Sequence, residues 1–242
     1  MPIIGSNQFL LWIELKEKTS IPKTYPFDLP VVRFLKRLKF HPKVTFVVGE
    51  NGSGKSTLLE AISVAWGFNA EGGSKNFGFS TNSTHSDLHE YLRLARGIKR
   101  PQDGFFLRAE SFYNVATYVQ ELGVSGYGHK SLHEQSHGES FLNLFMNRFR
   151  GQGFYILDEP EAALSPSRQL AFLVRLHQLA TNGSQFIIAT HSPLIMAYPN
   201  ALIYQVSEKG IARAKYEDTE HHCLTKRFLN DPKRYLNELF RE

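Results

Sequence analysis

Residues 44–57 read VTFVVGENGSGKST. The β-branched and aromatic run Val44, Phe46, Val47 and Val48 suits a buried strand. It passes directly into G-x-x-x-x-G-K-S and a helix start. Gly49, Gly52 and Gly54 permit a tight turn that brings backbone N–H groups toward an anion. Asn51, Gly52, Ser53, Gly54, Lys55, Ser56 and Thr57 thus form a candidate phosphate-binding loop. In such a loop Lys55 sets a positive charge on the β- and γ-phosphates, and Ser56 offers a hydroxyl to Mg²⁺. The helix behind, with Leu58, Leu59, Ile62, Ala65 and Trp66 on one face, points its positive end at the same place. The alternative is a glycine-rich turn that binds nothing. The strand before it and the helix after it argue against that.

A second strand ends in acids. Residues 154–161 read FYILDEPE, and four apolar residues lead into Asp158 and Glu159. In a nucleotide-binding sheet this strand should lie near the phosphate-loop strand and deliver both carboxylates to one crevice. Asp158 is then a candidate Mg²⁺ ligand, and Glu159 a candidate base for an attacking water. After EAALSP (161–166), Ser165 reads as an N-cap and Pro166 as a first helical residue. The helix runs on with Leu170, Leu173, Val174 and Leu176 or His177, and should stop at Asn182-Gly183. A third strand, Gln185 to Thr190, exits at His191. The histidine emerges at the same sheet edge, where it can contact a γ-phosphate.

The whole chain fits one α/β unit. With 242 residues and 42% hydrophobic content it can bury a sizeable core. The net charge is +5, but the basic residues are scattered, with no run like a nucleic-acid tail. Cys223 is the one cysteine, which excludes an internal disulfide and suits a reducing, cytoplasmic setting. The apolar run Phe9–Ile13 is cut by Glu14, too short for a signal or a membrane span.

Together these motifs resemble the ABC-type ATPases. GENGSGKS is similar to their Walker A, FYILDEPE to their Walker B with its catalytic glutamate, and ATHS to their switch-histidine strand. Ser136-His137-Gly138-Glu139-Ser140 stands where the family has its signature, ahead of an apolar helix face of Phe141, Leu142, Phe145 and Phe149. It is divergent, with Glu139 in place of the second glycine. EAALSP occupies the place of the dimer-contacting D-loop and lacks its aspartate. The resemblance implies a P-loop NTPase fold, a mixed-sheet core with an N-terminal antiparallel part. It implies one domain over 1–242, with a small helical subdomain at about 84–150. It also implies ATP and Mg²⁺ as cofactors, and a head-to-tail dimer in which Ser136, Gly138 and Glu139 of one chain meet the γ-phosphate held by the other.

Some family features lack a clear match. No glutamine fills the Q-loop, and Glu110, in the expected strand Gly104–Asn114, stands in its region. Tyr25, Phe27 and Phe40 are candidates for stacking on adenine. His133-Glu134-Gln135-Ser136-His137 matches H-E-x-x-H, but it overlaps the signature, and Gly138 should interrupt the helix that zinc would need. His85 with His89, and His221-His222-Cys223, lack the partners or spacing of a metal site.

Spacing narrows the kind of member. Lys55 and Ser136 are 81 positions apart, room for a small subdomain and not for a coiled coil. After His191, 51 residues remain: a strand at Ala201–Val206, a turn at Lys209-Gly210, another short strand and a helical piece, too little for a nuclease. The expected function is Mg-ATP hydrolysis with ATP-dependent dimerisation driving a partner protein or nucleic acid, similar to compact stand-alone bacterial ATPases. The alternative is the nucleotide-binding subunit of a membrane transporter. A binding module that barely hydrolyses is the third class, and Glu159 with His191 argues against it.

Overall fold

The computed structural model describes residues 8–17, 22–70, 72–73, 86–108 and 137–241, with 137–139 through their backbone only. A small antiparallel sheet comes first: β1 (Leu10–Leu15) lies between β2 (Leu38–Lys39) and β4 (Leu92–Arg96). Among the described residues the main sheet has the order β5 (Asp103–Arg108), β6 (Gly153–Asp158), β7 (Gln185–Ala189), β3 (Val44–Gly49), β8 (Leu202–Ser207), β9 (Gly210–Ala214). It is parallel from β5 to β8, and β9 closes it antiparallel.

Every residue of β3, β6 and β7 is buried, which explains why these strands read as unbroken apolar runs rather than as alternation. One face of the sheet (Phe46, Phe105, Leu107, Tyr155, Leu157, Phe186, Ile188) packs on helices His137–Arg148 and Pro166–Thr181. The other face (Val47, Phe106, Phe154, Ile156, Ile187) meets the phosphate-loop helix Lys55–Trp66 and the small sheet. One buried amide joins the two sheets. Gln185 Oε1 accepts from the Phe9 and Leu10 amides at 3.0 and 2.8 Å, and its Nε2 donates to the carbonyls of Leu10 and His41 at 2.8 and 3.0 Å.

Register aligns the strand ends. Arg108 lies opposite Asp158, Asp158 opposite Ala189, and Val47 opposite Ala189. The Walker-B-like strand β6 is thus one strand removed from β3, with β7 between them.

Several expectations need correction. The segment 84–150 contains β4 and β5, which serve the two sheets. The helix Pro166–Thr181 turns inward through Phe172, Leu176, Leu179 and Ala180, while Leu170 and Val174 are 54% and 60% exposed. Both sides of this helix carry apolar residues; Leu176 and the partly buried Leu173 pack on the core, and Leu170 and Val174 do not. Ser165 holds the N-cap position, but its hydroxyl meets Ser167 Oγ at 3.2 Å instead of capping the backbone. The helix His137–Arg148 carries Gly138 in its first turn, and the residues before it in the H-E-x-x-H match, 133–136, lie outside the described residues. Among the described residues no helix is long and apolar enough to cross a membrane, and no group of three His, Cys, Asp or Glu could hold a metal ion.

Candidate active site

The loop after β3 has the backbone its glycines promised. Gly52 and Gly54 adopt φ of 78° and 91°, in the left-handed region that favours glycine. A Cβ on Gly54 would come within 2.8 Å of Val31 Cγ1, whereas one on Gly52 would meet nothing within 4 Å. The loop is therefore packed at its base and open at its crest. Asn51 and Gly52 are exposed there; Ser53 is buried, and Ser56 and Thr57 are partly buried in the first helical turn. Lys55 is buried, and its Nζ donates to the carbonyls of Gly49 and Glu50 at 2.8 Å each. Burial pulls its pKa down, against the neighbouring carboxylates of Glu159, Asp158 and Glu50.

The ends of β6 and β7 converge on this loop. Ser56 Oγ donates to Asp158 Oδ1 at 3.0 Å. Asp158 is 4% exposed, and burial raises its pKa to about 7 despite Arg108, Ser56 and Lys55. Glu159 takes φ of 50°, a left-handed conformation that costs a non-glycine residue about 1 kcal/mol or more and concentrates at functional sites. Its Oε1 lies 3.4 Å from His191 Nε2, a contact rather than an aligned hydrogen bond. Burial first, then Lys55, lower the pKa of His191.

These residues fit a phosphate-bearing nucleotide and a divalent cation. His191 Nε2 and Ser53 Oγ are buried with no hydrogen-bond partner among the described residues, which is costly unless something fills the site. A carboxyl raised by burial and already bonded to the loop serine is a donor set that a hard cation would satisfy.

Sequence reasoning did not find four neighbours. Glu161 turns inward, and its carboxylate accepts from Thr190 Oγ1 at 2.7 Å and from the His191 amide at 2.5 Å. It clamps the exit of β6 to the exit of β7, although burial raises its pKa. Arg108, at the end of β5, stands with Nη1 3.1 Å from Glu60 Oε2 and with Nε 3.6 Å from Asp158 Oδ2. Gln169 donates to the Leu164 carbonyl at 3.0 Å and accepts from Ser192 Oγ at 2.5 Å, fixing the turn after His191. His221, on the helix Glu220–Asn230, brings Nε2 to 3.0 Å from His191 Nδ1. An arginine closing an apolar run was a readable signal for Arg108; nothing in the local sequence marked the other three.

Of the remaining candidates, Gly138 and Glu139 lie in the first turn of the helix His137–Arg148. Ser136, Glu110, His85 and His133-Glu134-Gln135 fall outside the described residues. Phe27 and Phe40 are 8% and 5% exposed and belong to the core, with Phe27 edge-on to Tyr91. Tyr25 is 64% exposed. It leads into the turn Pro30–Arg33, where the Val31 amide donates to the Ser53 carbonyl at 3.2 Å.

Residues 32–120 match an AAA-domain family model, and residues 131–197 match a second AAA-domain model whose description names the AbiEii toxin and a type IV toxin–antitoxin system. The cytochrome c biogenesis ATP-binding export protein CcmA of Rhizobium etli is 29% identical over 166 residues, 61% of this chain and 75% of that protein. The chain is similar to ABC-type P-loop ATPases. The chain is also 24% identical over 208 residues, 74% of its length, to the ABC transporter G family member STR2 of Medicago truncatula, but spans only 28% of that protein. The solved structure of cbiO1 from Clostridium perfringens, part of an ABC transporter complex, shares its fold. The TM-score is 0.52 at 17% identity, covering 96% of this chain and 99% of that one.

Proposed function

We propose that this chain binds and hydrolyses Mg-ATP through the crevice at the ends of β3, β6 and β7. The observation that carries the reading is the Ser56–Asp158 hydrogen bond of 3.0 Å, which joins phosphate loop to acidic strand end with Lys55, Glu159 and His191 beside it. Asn51 to Thr57 would cradle the phosphates with backbone N–H groups. Lys55 would leave its two loop carbonyls for the β- and γ-oxygens. Ser56 and Asp158 would hold Mg²⁺, which when bound neutralises charge between those phosphates. Glu159 would orient the attacking water and take its proton, while His191 donates from Nε2 to a γ-oxygen. Tyr25, the exposed one of the three aromatic candidates, would stack on adenine.

The same reading extends to a second copy of the chain. Gly138 and Glu139, in the first turn of the helix His137–Arg148, would with Ser136, which precedes them in sequence, complete the partner's site from the far side of its γ-phosphate. ATP then favours a closed head-to-tail dimer, and hydrolysis releases it. The dimer cycle would work on a protein or nucleic-acid partner. The names of the curated relatives favour a second reading, the ATP-binding subunit of a transporter.

The test is the solution mass and turnover of Glu159→Gln. The variant should bind ATP, hydrolyse none and become a dimer only with Mg-ATP. Wild-type turnover would remove Glu159 as base, and a monomer with ATP demonstrably bound would remove the shared site. Association with membrane components rather than stimulation by a soluble partner would favour the transporter reading.

A further inference from the structure

His191 is gripped on both sides. Its main-chain amide is held by Glu161, and its ring Nδ1 lies 3.0 Å from His221 Nε2, with the two rings 5.0 Å apart and 66° between their planes. His221 is well fixed for a residue on an otherwise exposed helix. Thr219, just before that helix, is fully buried with its Oγ1 donating to the Tyr216 carbonyl at 2.7 Å, and the ring of His222 stands 4.5 Å from that of Tyr216. The rest of the helix Glu220–Asn230 buries no side chain.

The chemistry of the contact is restrictive. Glu50, Glu220 and Lys55 face His221, and Lys55 and Glu159 face His191; burial lowers the pKa of both rings. Two neutral imidazoles in contact share one proton between Nδ1 and Nε2. If His191 donates it, His191 Nε2 is left as a bare lone pair, which repels a carboxylate or a phosphate. If His221 donates it, His191 keeps its proton on Nε2, facing Glu159 Oε1 at 3.4 Å and the crevice. His221 Nδ1 is then the bare atom, and it is buried with no hydrogen-bond partner among the described residues.

We infer that His221 is a positioning residue for His191, donating from Nε2 to His191 Nδ1 so that His191 presents an N–H to the γ-phosphate. The inference rests on the ATPase reading above. It ties the C-terminal helix to the chemistry: displacing that helix removes the donor and frees the His191 ring to turn or change tautomer.

His221→Phe keeps the ring volume and loses the donor, whereas His221→Gln replaces it with an amide N–H. With Mg-ATP, His221→Phe should lower kcat about tenfold at unchanged ATP affinity, the loss expected for one hydrogen bond made in the transition state. His221→Gln should recover most of it. Wild-type turnover silenced by Glu159→Gln, together with wild-type kcat in His221→Phe, would overturn the role of His221 alone. A His221→Gln no faster than His221→Phe would overturn the donor role. Wild-type protein that does not hydrolyse ATP would overturn the reading beneath both. Nitrogen-15 NMR of the wild-type rings needs neither a variant nor turnover: protons on Nε2 of both His191 and His221 are expected, and an Nδ1-protonated His221 would refute the inference.

Discussion

Glu161→Ala tests how the site is held together. The carboxylate accepts two hydrogen bonds, from Thr190 Oγ1 and from the His191 amide, across the gap between two strand ends. Hydrogen bonds to a charged group contribute about 1.5–3 kcal/mol each, and each donor left without a partner costs about 1–3 kcal/mol more when buried. Against this, removing the carboxylate relieves its own burial, which already raises its pKa. The net loss should be about 2–4 kcal/mol. For a chain of this size that lowers Tm by about 5–15 °C in a thermal melt followed by circular dichroism. Because the His191 amide loses its anchor while the phosphate loop is untouched, kcat should fall and ATP affinity should stay. Glu161→Gln keeps one acceptor oxygen and should fall between. If Glu161→Ala melts within about 2 °C of wild type and turns over normally, the clamp is an incidental contact and the reasoning fails.

Lys55→Ala removes the charge that meets the phosphates and should weaken ATP binding about 100-fold or more, measured by titration of a fluorescent nucleotide. Asp158 supplies a pH dependence whose sign follows from its raised pKa of about 7. The folded state binds the proton more tightly than the unfolded one, so stability is full below about pH 4 and is lost as pH rises toward 7. In EDTA the urea midpoint should fall across that window in wild type, and Asp158→Asn should flatten the fall. Tyr25→Ala should weaken nucleotide affinity about tenfold if its ring stacks on the base; unchanged affinity would leave the base without this contact.

What was legible in the sequence was what is local. Gly52 and Gly54 encode their own backbone conformation, and the runs VTFVV and FYIL declare strands buried on both faces. Asp158, Glu159 and His191 could be placed because each directly follows such a run. Arg108 meets Asp158 only through the register of β5 on β6, which no spacing encodes. Glu161 reads as one more acid in a turn until the fold bends it toward β7. His221 lies 30 positions beyond the residue it touches, on a helix whose pattern is that of a surface. On the helix Pro166–Thr181, Phe172 competes with Leu170 and Val174, and only packing decides which side is the interior.

Gln185 has a consequence for how this molecule comes apart. Its single side chain spends all four of its hydrogen bonds on segments that are 144 to 176 residues distant in the chain. If the small sheet peeled away, a buried amide would be stranded at the base of the central strand β7, and the N-terminal strand would lose its partners too. The two sheets therefore share one cooperative unfolding transition, and heat should show the nucleotide-binding core and its N-terminal flap melting together.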